Sequence, residues 1–198
     1  LDETKIEPLI KDDTTAIVPV HTFGNACNIE NIQSVAKNNN LKVIYDACHT
    51  FNIQYKNKNI LNFGDISTIS FHATKLFHTI EGGALIINDD SLVEKARYLI
   101  NFGIKNPEEI PHLGTNAKMN EFEAAMGLSL LDDMNMIIEK RKDIYDFYKT
   151  ELKDFVQFPK FNTNSTNNYG YFPIILKNED QVKRIQEALK DIGNTICY

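Results

Sequence analysis

Apolar positions recur along the chain with two periods, and the switches between them outline the fold. Residues 5 to 11 are expected to form a short helix. Thr15-Ala16-Ile17-Val18-Pro19-Val20 then reads as a buried strand, because it is a compact apolar run. From 29 to 39 the period lengthens. Ile29, Ile32, Val35 and Ala36 fall on one helical stripe, and the Asn38-Asn39-Asn40 cluster ends it. Lys42-Val43-Ile44-Tyr45 returns to a short strand that stops at Asp46. Strand, helix and strand with nearly continuous apolar strands imply an α/β fold, a mostly parallel sheet with helices on both faces.

Further along, Lys56-Asn57-Lys58-Asn59 is expected to be a surface turn. Residues 66 to 71 and 84 to 87 read as strands, with Lys75 between them. Residues 92 to 100 are helical, and so are 121 to 131 and 134 to 152, with a break near Asp132-Asp133. After a polar, proline-containing loop, 169 to 176 alternates like a strand and 180 to 192 repeats like a helix. The composition shifts near 105 to 120. This divides the chain into an α/β part, 1 to 115, and the start of a smaller α+β part, 116 to 198.

Composition narrows the function classes. Of 198 residues, 42% are hydrophobic and 24% charged, the balance of a globular protein. A net charge of −6 does not suit a nucleic-acid partner, which needs clustered Lys and Arg. No apolar run approaches the roughly 18 residues that cross a bilayer. Leu1-Asp2-Glu3-Thr4-Lys5 is too polar for a signal peptide. Cys27, Cys48 and Cys197 lack metal or CxxC spacing and read as free thiols of a cytoplasmic protein. The start at Leu1, with no methionine, and the end at Ile196-Cys197-Tyr198 are expected to be cuts from a longer chain.

The candidate chemistry lies just past strands. Asp46 follows one, where ligands of open α/β sheets bind, although alone it also reads as a cap or turn residue. Lys75 follows another. A desolvated lysine there can do Schiff-base chemistry, although most lysines are simply solvated. Glu81-Gly82-Gly83-Ala84 allows a tight turn near a ligand, as it does in many ordinary turns. A lysine and a carboxylate converging on one crevice is what pyridoxal phosphate needs: the amine bonds the cofactor and the carboxylate keeps its pyridine nitrogen protonated. His21, His49, His72, His78 and His112 have no zinc spacing, so no metal is expected. The absence of GxGxxG and GxxxxGK[ST] loops removes support for nicotinamide and triphosphate enzymes.

These blocks also resemble a known family. Ile44-Tyr45-Asp46-Ala47-Cys48-His49, Gly64-Asp65-Ile66-Ser67, Ser70-Phe71-His72-Ala73-Thr74-Lys75 and Glu81-Gly82-Gly83-Ala84 look like the DegT/DnrJ/StrS sugar aminotransferases. So do Val20-His21-Thr22-Phe23-Gly24, Gly114-Thr115-Asn116-Ala117-Lys118-Met119-Asn120-Glu121 and Ala124-Ala125-Met126-Gly127, in family order. The resemblance implies a pyridoxal-phosphate transferase of fold type I. Residues 1 to 115 would be the later portion of its large cofactor-binding domain, and 116 to 198 an incomplete small domain. Lys75 would bond the cofactor and move the proton. Asp46 would pair with the pyridine nitrogen, His49 with the ring or its hydroxyl, and Ser70 with the phosphate. Asn116 would reach the phosphate in the partner subunit of a homodimer. A nucleotide-linked, dTDP-type keto-6-deoxyhexose would be aminated from glutamate, in cytoplasmic synthesis of lipopolysaccharide O-antigen sugars. Lys75 favours transamination over the dehydratases of this family, which carry histidine there. The other class that remains is a non-catalytic sugar-nucleotide-binding or regulatory relative.

Overall fold

The computed structural model describes residues 2 to 191. β1 (Ala16–Ile17) leads into α1 (Ile29–Asn38), which returns as β2 (Lys42–Asp46), parallel to β1. The Asn28 side chain caps α1 by accepting from the Asn31 amide. Asn40, at φ 53°, turns the chain out of the helix in a conformation that asparagine tolerates. The segment before β1 forms two 3-10 turns, Glu3–Lys5 and Glu7–Leu9, rather than the expected helix. Pro8 has no amide to continue an α-helical ladder.

β3 (Gln54–Tyr55) and β4 (Lys58–Asn59) form a hairpin. Lys56 and Asn57 close it at φ 48° and 62°, the positive pair that a two-residue hairpin turn requires. β5 (Ile66–Ser70) then pairs parallel to β2, and β6 (Gly83–Ile87) antiparallel to β5. The four-stranded sheet has the order β1-β2-β5-β6 and is mixed, with three parallel strands.

The core lies between α1 and one face of this sheet. Ile29, Ile32 and Ala36 meet Val43, Tyr45, Ile53, Tyr55 and Ile60 there. Each fully buried large apolar side chain contributes about 1.5–3 kcal/mol. The expected α/β fold, a mostly parallel sheet packed with helices, is borne out. β2 buries Val43 and Tyr45 but leaves Ile44 and Asp46 half-buried, and β5 repeats the alternation.

The second half is helical: α2 (Val93–Leu99), α3 (Glu121–Leu131), α4 (Met134–Leu152) and α5 (Glu179–Asp191). Asn120 and Glu123 form a reciprocal capping box that starts α3, and the chain breaks at Asp132-Asp133 before α4. The expected strand at 169 to 176 is absent. Tyr169 has φ 56°, Pro173 has no amide for a ladder, and only Ile175 forms an isolated bridge, with Gln157. Cys27 and Cys48 are free thiols, while Ile192 and Cys197 lie outside the described residues. Among the described residues no helix is long and apolar enough to cross a membrane.

A strap at 160 to 168 ties the helical half to the sheet. Asn162 donates its side-chain amide to the Ala26 carbonyl at 3.3 Å and its backbone amide to Asn25 Oδ1 at 2.8 Å. Thr166 and Gln54 exchange two bonds of 2.9 Å.

Candidate active site

Asp46 is the last residue of β2 and stands opposite Thr68 of β5. Ser70 follows two residues later, opposite Gly83 of β6. Side chains alternate along strands, so Asp46, Thr68 and Ser70 share the half-buried face, away from the Val43 and Tyr45 core. Adjacent strands lie about 4.8 Å apart, which gathers these polar groups at one edge. At Gly83 a Cβ would stand 2.8 Å from the Ile69 carbonyl oxygen, so that backbone passes closer than any side chain permits.

The backbone of Asp46 is held on both sides, by its amide to the Pro19 carbonyl (2.9 Å) and its carbonyl from the His21 amide (3.0 Å). Its Oδ1 accepts from the Cys48 amide at 3.1 Å, so the turn role and the site role coexist. Partial burial works against the carboxylate. The hydrogen bonds from Cys48, with electrostatic help from the neighbouring His49 and Lys75, outweigh it and hold the carboxyl below its ordinary value. His49 Nδ1 accepts from the Phe23 amide at 3.1 Å, which leaves Nε2 to carry the ring proton. Burial, reinforced by Lys75 and opposed by Asp46, lowers the His49 pKa and favours the neutral ring.

Lys75 sits in the connection between β5 and β6. Its amide donates to the His72 carbonyl (2.9 Å), and Phe71 closes the loop by donating to Gly82 and accepting from Thr79, both at 2.9 Å. Phe77 roots the loop, stacked on Phe51 at 4.5 Å and edge-on to Phe71 at 5.1 Å. On α3, Gly127 lets the loop come near: a Cβ there would lie 2.9 Å from the Thr79 methyl group. Ile80 adopts φ 69°, a strained conformation for a β-branched residue, and it does so five residues past the lysine. Lys75 is half-buried, and its amine meets the Tyr171 hydroxyl at 3.5 Å.

The five residues expected from sequence therefore divide. Asp46, His49 and Lys75 influence one another electrostatically at the strand ends. Ser70 closes β5 beside them, half-buried, with its Oγ accepting from the His72 amide at 3.3 Å. Asn116 is elsewhere: exposed, bridged to Asn101, with its Oδ1 accepting from Lys118 at 2.8 Å.

Three residues that the sequence did not single out as site residues join the site. Asn168 is buried and donates to the His49 carbonyl (3.1 Å) and the Phe51 carbonyl (2.9 Å). Phe23 and Tyr171 flank His49, with ring centroids 6.3 Å and 4.3 Å from it. The aromatic alternation at 169 to 176 was the visible trace of Tyr171, but it pointed to a strand.

Known proteins are similar to this chain. The chain is 39% identical over 182 residues to the dTDP-4-amino-4,6-dideoxy-D-glucose transaminase of Shigella dysenteriae, covering 91% of this chain and 50% of that protein. It is 32% identical to the GDP-perosamine synthase of Escherichia coli O157:H7, covering 94% and 52%. The crystal structure of DesI with its TDP-sugar product superposes with a TM-score of 0.88 at 31% identity, over 98% of this chain and 51% of that one. The chain thus spans about half the length of the curated relatives it matches. The model of the DegT/DnrJ/EryC1/StrS aminotransferase family matches residues 1 to 198, and the chain belongs to that family.

Proposed function

We propose that this chain is the cofactor-bearing part of a pyridoxal-phosphate aminotransferase acting on a nucleotide-linked keto-6-deoxyhexose. The observation that carries the reading is the convergence of an ionised carboxylate, Asp46, and a half-buried amine, Lys75, at neighbouring strand ends. The chemistry of the groups present fits the cofactor. Lys75 supplies the amine that bonds its aldehyde carbon. Asp46, stable as an anion, can keep a pyridinium protonated. His49, neutral with its proton on Nε2, can donate to the ring or its hydroxyl. Ser70 offers a hydroxyl to the phosphate. Bound there, pyridoxal phosphate supplies an electron sink for the carbanion formed at the substrate carbon.

In the reaction Lys75 holds and returns the proton that moves between carbons, from a loop that Phe77 fixes in place. Asp46 would keep the pyridine nitrogen protonated. The Asn168 bonds hold the turn that carries His49. Glutamate is the amino donor. The dTDP or TDP sugars of two relatives favour a dTDP-linked substrate, although a GDP-sugar relative is also similar.

The protein is a homodimer in this reading, and Asn116 serves the partner's site. Its exposure, and its bonds to Asn101 and Lys118 on the surface, support that assignment. The division at 115/116 separates the cofactor-binding part from the smaller one. The reaction is cytoplasmic and feeds lipopolysaccharide O-antigen synthesis. An absorbance spectrum of the whole protein with pyridoxal phosphate, before and after borohydride, tests the reading, with mapping of the modified lysine. A visible band trapped on Lys75 is expected. No band, or trapping on scattered lysines, leaves a non-catalytic sugar-nucleotide-binding relative.

A further inference from the structure

Tyr171 reaches the lysine from the far half of the chain, 96 residues away in sequence, and its position is fixed from two directions. Three residues before it, the buried Asn168 side chain spans the His49 and Phe51 carbonyls, and its Oδ1 accepts from the Gly170 amide at 3.0 Å. One residue after it, Phe172 packs edge-on to Tyr145 of α4 at 4.9 Å and against Phe158 at 5.7 Å. Phe172 therefore turns toward α4, while Tyr171 turns toward the sheet. The Tyr171 ring lies 4.3 Å from His49 and 5.6 Å from Phe23, and its hydroxyl is 3.5 Å from Lys75 Nζ. One side chain thus contacts the amine and the histidine of the site together.

We propose that Tyr171 is a positioning residue for Lys75. Its hydroxyl bonds the amine in both protonation states. It donates to the lone pair of the neutral amine, and its oxygen accepts from the ammonium. The phenol itself need not ionise, so Lys75 keeps the proton-transfer role while Tyr171 limits the directions in which the flexible lysine can point. Orientation of this kind is where an enzyme gains rate without tighter substrate binding. The contact is long in this state. Catalytic hydrogen bonds of this kind commonly shorten when ligand is bound. The inference deepens the aminotransferase reading and rests on it only for its kinetic consequence.

The test is Tyr171→Phe in the whole protein, which keeps the ring against His49 and Phe23 and removes only the hydroxyl. In cofactor-free protein, the labelling rate of Lys75 by an amine-reactive reagent should change by about threefold or more relative to Lys95, the size expected of one lost hydrogen bond. In cofactor-loaded protein, kcat should fall about tenfold while KM stays within about twofold. The pH profile of the visible band should also move, and an unchanged melting midpoint should exclude a general loss of structure. Unchanged Lys75 labelling in the variant overturns the inference, whatever happens to activity. If wild-type protein traps no cofactor on Lys75, the aminotransferase reading falls, and the labelling comparison still decides the Tyr171–Lys75 contact.

Discussion

α1 and α3 are helices of 10 and 11 residues, yet they treat their apolar side chains in opposite ways. Ile32 of α1 is 0% exposed, whereas Phe122 and Leu128 of α3 are 90% and 69% exposed. α1 carries one apolar stripe and lays it on the sheet, so its burial is complete within the chain. α3 is apolar around most of its circumference, a pattern that belongs to helices enclosed by other elements. Among the described residues only Gly127 of α3 is buried, where it meets the lysine loop. The sheet half therefore has its own core and holds the chemical groups. The helical half covers part of the site and, among the described residues, leaves the apolar side chains of α3 largely exposed.

The largest effects should come from the strand-end groups of the sheet half. Lys75→Ala should abolish turnover of the whole enzyme, because no other described amine lies beside Asp46. Retained activity in a steady-state assay would move the chemistry away from this loop. Asp46→Ala should come next, raising the barrier by several kcal/mol, at about 1.4 kcal/mol per tenfold in rate. A near-normal rate there would deprive the carboxylate of its role while leaving Lys75 untouched.

Ile32→Ala tests the core itself. It removes a fully buried side chain and should destabilise the protein by about 2–5 kcal/mol in denaturant unfolding. A loss under about 0.5 kcal/mol, the range of surface changes, would mean that α1 is no more enclosed than α3.

The same contrast explains what could be read in the sequence. α1, α3 and α4 were visible because their composition and periodicity fit a helix wherever its neighbours lie, and the sheet strands because they were short apolar runs with polar stops. Asp46 and Lys75 stood out because each follows such a strand, and the flanking motifs named their family. What escaped depends on contacts between distant residues. Asn168 looks like one of several asparagines in a polar loop, and nothing local says that it spans the carbonyls of His49 and Phe51. Tyr171 and Phe172 alternate as strand residues do, but they alternate between the site and α4 instead of between the faces of a sheet.

His21 gives a pH test of the sheet core. It is 1% exposed and stacked on Tyr45 at 4.6 Å, with Nδ1 accepting from the Cys27 amide at 3.1 Å. Burial pushes its pKa down from 6.5 to about 4, against the pull of Asp46. The unfolded chain therefore binds a proton that the folded one refuses. This contribution is complete above the unfolded value and is lost as pH falls from about 6.5 toward 4, by at most about 1.4 kcal/mol per pH unit. Urea unfolding at several pH values should show that loss in the wild type and a shallower slope in His21→Gln. Equal slopes would mean that His21 takes up its proton without disturbing the core.

The smallest effect on stability should come from Phe122→Ser, since the side chain is 90% exposed and exposed positions change stability by about 0.5 kcal/mol or less. Its consequence should appear in assembly. If the apolar face of α3 forms part of the proposed dimer, sedimentation of the whole protein should show a weakened dimer, while Lys75 remains able to bond the cofactor. If both stability and assembly stay unchanged, α3 lies outside the dimer interface. If instead the variant unfolds as readily as Ile32→Ala, α3 is enclosed within its own subunit, and the contrast between the two helices belongs to this stretch of chain alone.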